Sequence, residues 1–202
     1  INLKDVESIC NGKYGIPSGA FSDKQTLIKC ILPDKLEYIG DNAFKNTSLT
    51  GTVQLPEGLK SVSGFENTKI TNIVFPSTLE TIGDYAFSRC YSLMCEISLP
   101  SSLKTIERDA FSYSAIKGNL VLPENLEIIG SQAFKECGSL TGSLIIPRGV
   151  QTIPYDGFRN CGFNGNLTLS NGLIAIGSGA FYGTSFKGEL NIPSTVTTIE
   201  MN

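Results

Sequence analysis

One thirteen-residue phrase recurs along the chain, and its spacing leaves few folds open. From Leu99 to Phe111 it runs as an apolar residue, Pro, two spacers, Leu, two spacers, Ile, three more residues and Ala-Phe. It returns as Leu32 to Phe44, Phe75 to Phe87, Leu122 to Phe134 and Ile146 to Phe158, the last with Val150 for Leu and Gly157 for Ala. Copies beginning at Leu55, Leu169 and Ile192 are altered or incomplete. The anchoring positions are Pro33, Pro56, Pro76, Pro100, Pro123, Pro147, Ser170 and Pro193, at intervals of 23, 20, 24, 23, 24, 23 and 23 residues. Self-similarity at such a period marks a solenoid, in which no unit buries its apolar face alone and stacked neighbours share one interior.

Each unit divides into three parts. A short strand precedes the proline, and its residues three and one before that proline are always large and apolar: Val53/Leu55, Ile73/Phe75, Ile97/Leu99, Leu120/Leu122, Leu144/Ile146, Leu167/Leu169 and Leu190/Ile192. That period of two sends them inward, and proline, having no N–H, closes the strand. The Leu-x-x-Ile step is read as turning the chain across the coil, with Gly40, Gly83, Gly130 and Gly177 after it offering a positive φ. A short helical turn follows, with Asp41, Asp84, Ser131 or Ser178 as its N-cap, Ala as a close-approach point and Phe as an interior plug. The unit after Pro56 is two residues short between Pro and Phe, which predicts a local defect there. Residues 1–16 fit the repeat poorly and are assigned to an N-terminal cap. Residues 17–202 form the solenoid, its last repeat incomplete at Ile199 to Asn202.

Composition removes several function classes. Net charge is −3 and the charges are scattered, so neither a nucleic-acid arm nor a polybasic membrane patch is present. No apolar run approaches the ~18 residues of a membrane helix. Ile1 rather than Met opens the chain, as expected of a processed or trimmed piece. With no His, the commonest general base and metal ligand is missing, along with Ser-His and Cys-His pairs. No catalytic residue, metal site or cofactor is assigned. Of the six cysteines, Cys90, Cys137 and Cys161 lie three residues after the repeat Phe, where other units carry Thr47, Thr68, Ser114 and Thr184. A small weak donor there is expected to bond a buried loop backbone group. Cys30 stands at an apolar strand position; Cys10 and Cys95 have no assignment. Cys137 and Cys161 are register-equivalent, but ladder positions point in parallel, which disfavours a disulfide between them.

The outward residues of the pre-proline strands are the best binding candidates. Two before each proline they read Gln54, Val74, Ser98, Val121, Ile145, Thr168 and Asn191; four before, they include Asn72, Asn119 and Asn166. This face of polar and β-branched residues lacks the Lys and Arg that phosphates need and the aromatic platforms of base stacking. Its two readings are a solvated sheet and a protein-contacting patch around Val74, Val121 and Ile145.

The fuller pattern, apolar-Pro-x-x-Leu-x-x-Ile-Gly-x-x-Ala-Phe-x-x-Cys, is complete from Phe75 to Cys90 and from Leu122 to Cys137. It resembles the BspA-type, or Treponema-type, leucine-rich repeat over about residues 17–199. The resemblance implies a leucine-rich-repeat solenoid of the α/β superhelix class, a right-handed stack of about eight coils, each with a short parallel strand and a short helical turn. It also implies a secreted or cell-surface protein, linked to adhesion and to binding host matrix proteins. The expected function is therefore a non-enzymatic extracellular protein-binding module, the alternative being a structural spacer of a larger surface protein. The apolar edge of the last coil further invites end-to-end self-association.

Overall fold

The computed structural model describes residues 9–10 and 13–201, so most of the cap expected over residues 1–16 falls outside the described residues. The architecture is a β-solenoid of about eight coils whose phenylalanines run down the middle as a column. Phe21, Phe44, Phe65, Phe87, Phe111, Phe134, Phe158 and Phe181 stack in sequence, with ring centroids 5.1–5.7 Å apart and neighbouring planes within 20°. The leucines and isoleucines of the repeat close around the column; Leu79, Ile82, Leu103, Ile106 and Leu126 are fully buried. Every buried side-chain nitrogen or oxygen among the described residues has a hydrogen-bond partner.

The continuous sheet does not lie before the prolines. It runs through the Leu-x-x-Ile segments, which the sequence reading took for turns. Tyr38–Ile39, Ser61–Val62, Thr81–Ile82, Thr105–Ile106 and Ile128–Ile129 pair in parallel and in chain order, preceded by Lys13–Ile16 and the antiparallel Ile9–Cys10. Flanking amides extend each pairing: Lys60 N–H donates to Glu37 C=O at 2.8 Å and Ser63 N–H to Ile39 C=O at 2.9 Å. The paired residues are largely β-branched, which suits a pleated surface. A second sheet continues the row through Thr152–Ile153, Ala175–Ile176 and Thr198–Ile199. Gly130 and Gly177 each donate to the preceding coil at 2.7 Å, but at the interruption Pro154 occupies their place and has no N–H to offer Ile129. The neighbouring Gln151 and Thr152 amides do not reach Glu127 either, and an open gap lies between Glu127–Ile129 and Gln151–Thr152.

The pre-proline strands are shorter and discontinuous. Thr50–Gln54 pairs with Lys69–Val74, and Leu144–Ile145 with Leu167–Thr168, both in parallel. Between them Gly118–Asn119 pairs in parallel with Leu140–Thr141.

No helical turn forms. The segment expected to be helical instead carries a left-handed residue at every fourth position, with φ of 54° at Tyr85 and 56° at Arg89, 53° at Asp109 and 58° at Tyr113. In this conformation every other amide points along the solenoid: Tyr85, Phe87 and Arg89 donate to Arg108, Ala110 and Ser112 of the next coil at 3.0, 2.7 and 2.8 Å. The residues between them, Ala86, Ser88 and Cys90, donate three residues back within the coil. A helix would turn those donors on itself and leave adjacent coils unbonded, so the inter-coil ladder wins. Asp41, Asp84, Ser131 and Ser178 accordingly cap no helix.

Two further expectations change. Gly40, Gly83, Gly130 and Gly177 have no positive φ; they are needed because the neighbouring coil is too close for a side chain. A Cβ on Gly130 would sit 2.4 Å from Arg108 N, and one on Gly177 2.7 Å from Tyr155 N. Leu190 and Ile192, expected inward, are 51% and 49% exposed because they lie in the end layer, with a neighbouring coil on one side only. The short unit behaves as a local defect: Gly64, at φ 91°, passes straight to Phe65, which still donates to Ala86 C=O and keeps its place in the ring column.

Candidate protein-binding face

The candidate residues project where the pre-proline strands put them. Their apolar neighbours one residue away turn into the core; Leu55, Leu120, Leu144 and Leu167 are buried. Gln54, Val74, Ser98, Val121, Ile145, Thr168, Asn119, Asn166 and Asn191 are exposed, while Asn72 is half-buried. Strand register places Gln54 beside Val74 and Thr52 beside Asn72 in one patch, and Ile145 beside Thr168 in another. Ser98, Val121 and Asn191 lie on unpaired segments. Val121 and Ile145, at 66% and 62% exposure, are more open than Val74, the other large apolar side chain among the candidates, at 38%.

The residues four before the proline are less free than expected. A Cβ at Gly142 would lie 2.8 Å from Asn119 Oδ1, one at Gly188 2.9 Å from Asn166 Oδ1, and one at Gly118 2.6 Å from Glu96 Cγ. Each of these side chains thus packs over a glycine of the next coil, and all three glycines hold φ between 78° and 81°. Asn119 and Asn166 therefore help to seat the return loops.

The outer surface of the continuous sheet was not singled out from sequence. It carries Ser61, Thr81, Thr105 and Ile128 in register, flanked by Glu80 between Lys60 at 2.9 Å and Lys104 at 3.8 Å. The β-branched residue before the repeat Ile at Thr81, Thr105, Ile128, Thr152 and Thr198 was the available signal.

The cysteines do what their position after Phe suggested. Cys90, Cys137 and Cys161 donate their thiols to the carbonyls of Phe65, Phe111 and Phe134 in the preceding coil at 3.1, 3.1 and 3.0 Å. Thr47 and Thr68 instead donate to Phe44 and Phe65 of their own coil at 2.8 and 2.9 Å. Cys30, Cys90, Cys95, Cys137 and Cys161 are free thiols. Burial pushes Cys90 up to about 11 and Cys137 to about 12, opposite to what a nucleophilic thiolate needs. Among the described residues no three His, Cys, Asp or Glu side chains group to hold a metal, and no helix is long and apolar enough to cross a membrane.

Comparison with known proteins agrees with this architecture. The model of the BspA type leucine rich repeat region matches in six copies over residues 14–141 and 93–202. The chain is similar to the crystal structure of a leucine-rich-repeat protein of T. pallidum: 28% identity, 84% of this chain and 69% of that one covered, TM-score 0.55. A leucine-rich cell surface protein of Faecalibacterium prausnitzii is 23% identical over 92% of this chain and 64% of its own, with a TM-score of 0.51. A leucine-rich-repeat protein of Bacteroides ovatus is 20% identical over 98% and 70%, with a TM-score of 0.50. At those identities the latter two bear on the fold alone. Among curated proteins none matches. With the repeat model spanning nearly the whole described chain, and the ring column and inter-coil ladders supplying its physical basis, this chain belongs to the BspA-type leucine-rich-repeat family.

Proposed function

We propose that the chain is a non-enzymatic, extracellular or cell-surface module that binds another protein through its pre-proline strand face and serves adhesion. The observation that carries this reading is the exposure of Val121 and Ile145, flanked by short polar side chains on a regularly stacked scaffold. Exposed β-branched residues ringed by uncharged polar groups give the apolar centre and hydrogen-bonding rim that protein interfaces use. A surface location draws support from the repeat family. The face offers no row of Lys or Arg for nucleic acid. End-to-end association through the layer of Leu190, Ile192 and Ile199 would be a second route to assembly.

The test is surface plasmon resonance of the chain against a panel of purified extracellular-matrix proteins. Wild type is expected to bind at least one, and Val121→Glu with Ile145→Glu to weaken that binding at least about tenfold while the far-UV spectrum is retained. Binding unaffected by the double substitution removes this face. A spacer role is the second reading, favoured by the unbroken ring column, which makes the coil stack a stiff rod; it predicts no binding at all.

A further inference from the structure

Away from the strand face, an open groove of about 680 Å³ crosses the turns of the first coils and the start of Lys69–Val74. Asp23, Asn46 and Asn67 occupy one register position in three consecutive coils. Asn67 Nδ2 donates to Asn46 Oδ1 at 2.9 Å, and Asn46 Nδ2 donates to Asp23 Oδ1 at 2.8 Å. Gln25, Lys69 and Tyr91 join them in the lining, and Tyr91 is 59% exposed.

Left-handed φ alone does not require this set. The position has φ of 61°, 58° and 53° at Asp23, Asn46 and Asn67, a conformation that favours Asn and Asp, and Asn160 takes it again at 54°, donating to Glu136 Oε1 at 2.6 Å; Arg89, Tyr113 and Glu136 hold the same register place at 56°, 58° and 62°. An unbroken row of three short acceptor-bearing side chains is found in this stretch, where the later coils interpose longer ones. The ladder orients them: each primary amide fixes the carbonyl or carboxylate of the coil before it, leaving Asn67 Oδ1 as the acceptor end. Ser22 Oγ donates to Asp23 Oδ2 at 2.9 Å, so both carboxylate oxygens are engaged, and the Asn46 hydrogen bond, followed by that from Ser22, holds the carboxyl below its ordinary range.

The geometry points to a binding site for a neutral saccharide in this groove, with Tyr91 as the stacking surface and the Asp23–Asn46–Asn67 ladder as the hydroxyl-binding edge. Four observations select that ligand class. Carboxylate and amide groups fixed side by side offer both acceptors and donors to vicinal hydroxyls, which are themselves both. An exposed aromatic ring covers the apolar C–H face of a sugar and reserves its hydroxyl for a polar contact. Formal charge in the lining cancels, Asp23 against Lys69, which disfavours a phosphate or polyanion. An extended peptide would need free backbone donors, but the amides of Asp23, Asn46 and Asn67 are spent on Lys45, Glu66 and Ser88 of the following coils at 2.8, 3.0 and 2.8 Å. The volume falls within the ~300–1,000 Å³ of small-molecule sites.

The site is independent of the proposed protein-binding face, and the experiment separates the two. The full chain is titrated with neutral hexasaccharides of glucose, mannose and N-acetylglucosamine, read by saturation-transfer NMR and by calorimetry. Wild type is expected to transfer saturation to the ring protons of at least one. Tyr91→Ala should weaken that ligand about tenfold or more, and Asn67→Asp, which keeps shape but removes the donor to Asn46, should weaken it measurably. Val121→Glu with Ile145→Glu should leave it unchanged. Because Tyr91 is exposed, its loss should not alter the fold, which the far-UV spectrum checks. No transfer from any of the three sugars, transfer indifferent to Tyr91→Ala, or a Tyr91-dependent ligand from a random peptide library in place of the sugars would each overturn the proposal.

Discussion

Replacing Phe111 by Ala tests the ring column where it is most enclosed. Phe111 is fully buried, with Phe87 and Phe134 each 5.4 Å away at interplanar angles of 17° and 7°. Truncating a buried Phe costs about 3–5 kcal/mol, and how far the surroundings collapse into the space sets where in that range a site falls. Here collapse is restrained, since Phe87 N–H donates to Ala110 C=O at 2.7 Å and Phe111 N–H to Ala133 C=O at 2.8 Å, pinning both neighbouring coils at their spacing. Two stacked pairs are lost as well, each about 0.5–1.5 kcal/mol beyond area burial. The upper half of the range, about 4–5 kcal/mol, is therefore expected. Phe181 is the internal control: it is half-buried, stacks on Phe158 at 5.7 Å and meets Phe186 edge-on at 5.9 Å, with no repeat Phe on its other side. Phe181→Ala should cost about 1–2 kcal/mol, in line with partial burial of one ring. With seven Tyr and no Trp, urea unfolding can be followed by tyrosine fluorescence alongside far-UV circular dichroism. Destabilisations of the two variants within about 1 kcal/mol of each other would refute the idea that the column is a stack of mutually dependent layers.

Two further outcomes follow from buried polar groups. Cys90, Cys137 and Cys161 should be inert to Ellman's reagent at neutral pH in the native state and react as soon as urea unfolds the chain; rapid native reaction of all three would contradict their burial and their thiol–carbonyl bonds. Lys135 Nζ bonds the buried Asp156 carboxylate at 2.9 Å, and that hydrogen bond holds the lysine above its ordinary 10.5. A raised folded value means the contribution is complete below the unfolded lysine range and fades as pH climbs through the folded one. The melting-temperature gap between wild type and Lys135→Met should thus be constant from pH 7 to 10 and shrink above about 10.5; a gap unchanged to pH 11.5 would rule the pair out as its source.

The coil count and the inward residues were legible because both rest on simple periods. Every proline interval points to one coil, and the residues one and three before each proline turn inward wherever another coil covers both sides. What the residues did not disclose was the balance between local and inter-coil hydrogen bonding. Asp84 to Phe87 and its equivalents look like a capped helical start, with a polar first residue and Ala-Phe behind it. That preference is worth a few tenths to about 1 kcal/mol per position. The alternative satisfies three inter-coil amides where two full turns meet, as Tyr85, Phe87 and Arg89 show, and an unmet buried amide costs about 1–3 kcal/mol. Tertiary pairing outbids propensity, even at the expense of left-handed φ at Tyr85 and Arg89.

The same accounting explains why the sheet was misplaced and why the site was only half readable. Leu-x-x-Ile has a spacing of three, which hides the single β-branched outward residue between its anchors; the ladder that residue joins becomes visible only when the next coil is laid alongside. Pro154 carried the complementary signal, being the one place where the glycine after Ile became a residue unable to donate, and there the sheet divides. The strand face could be listed residue by residue because period two fixes direction, but direction is not availability: Asn119 and Asn166 point outward and are then taken up by Gly142 and Gly188 of the next coil. The Asp23–Asn46–Asn67 row escaped for the opposite reason. Its members are 23 and 21 residues apart and sit in turns, where Asn and Asp are commonplace, so only stacking turns three ordinary turn residues into one continuous polar edge. In a solenoid, then, sequence reveals what each coil repeats, whereas binding chemistry arises from what successive coils place side by side.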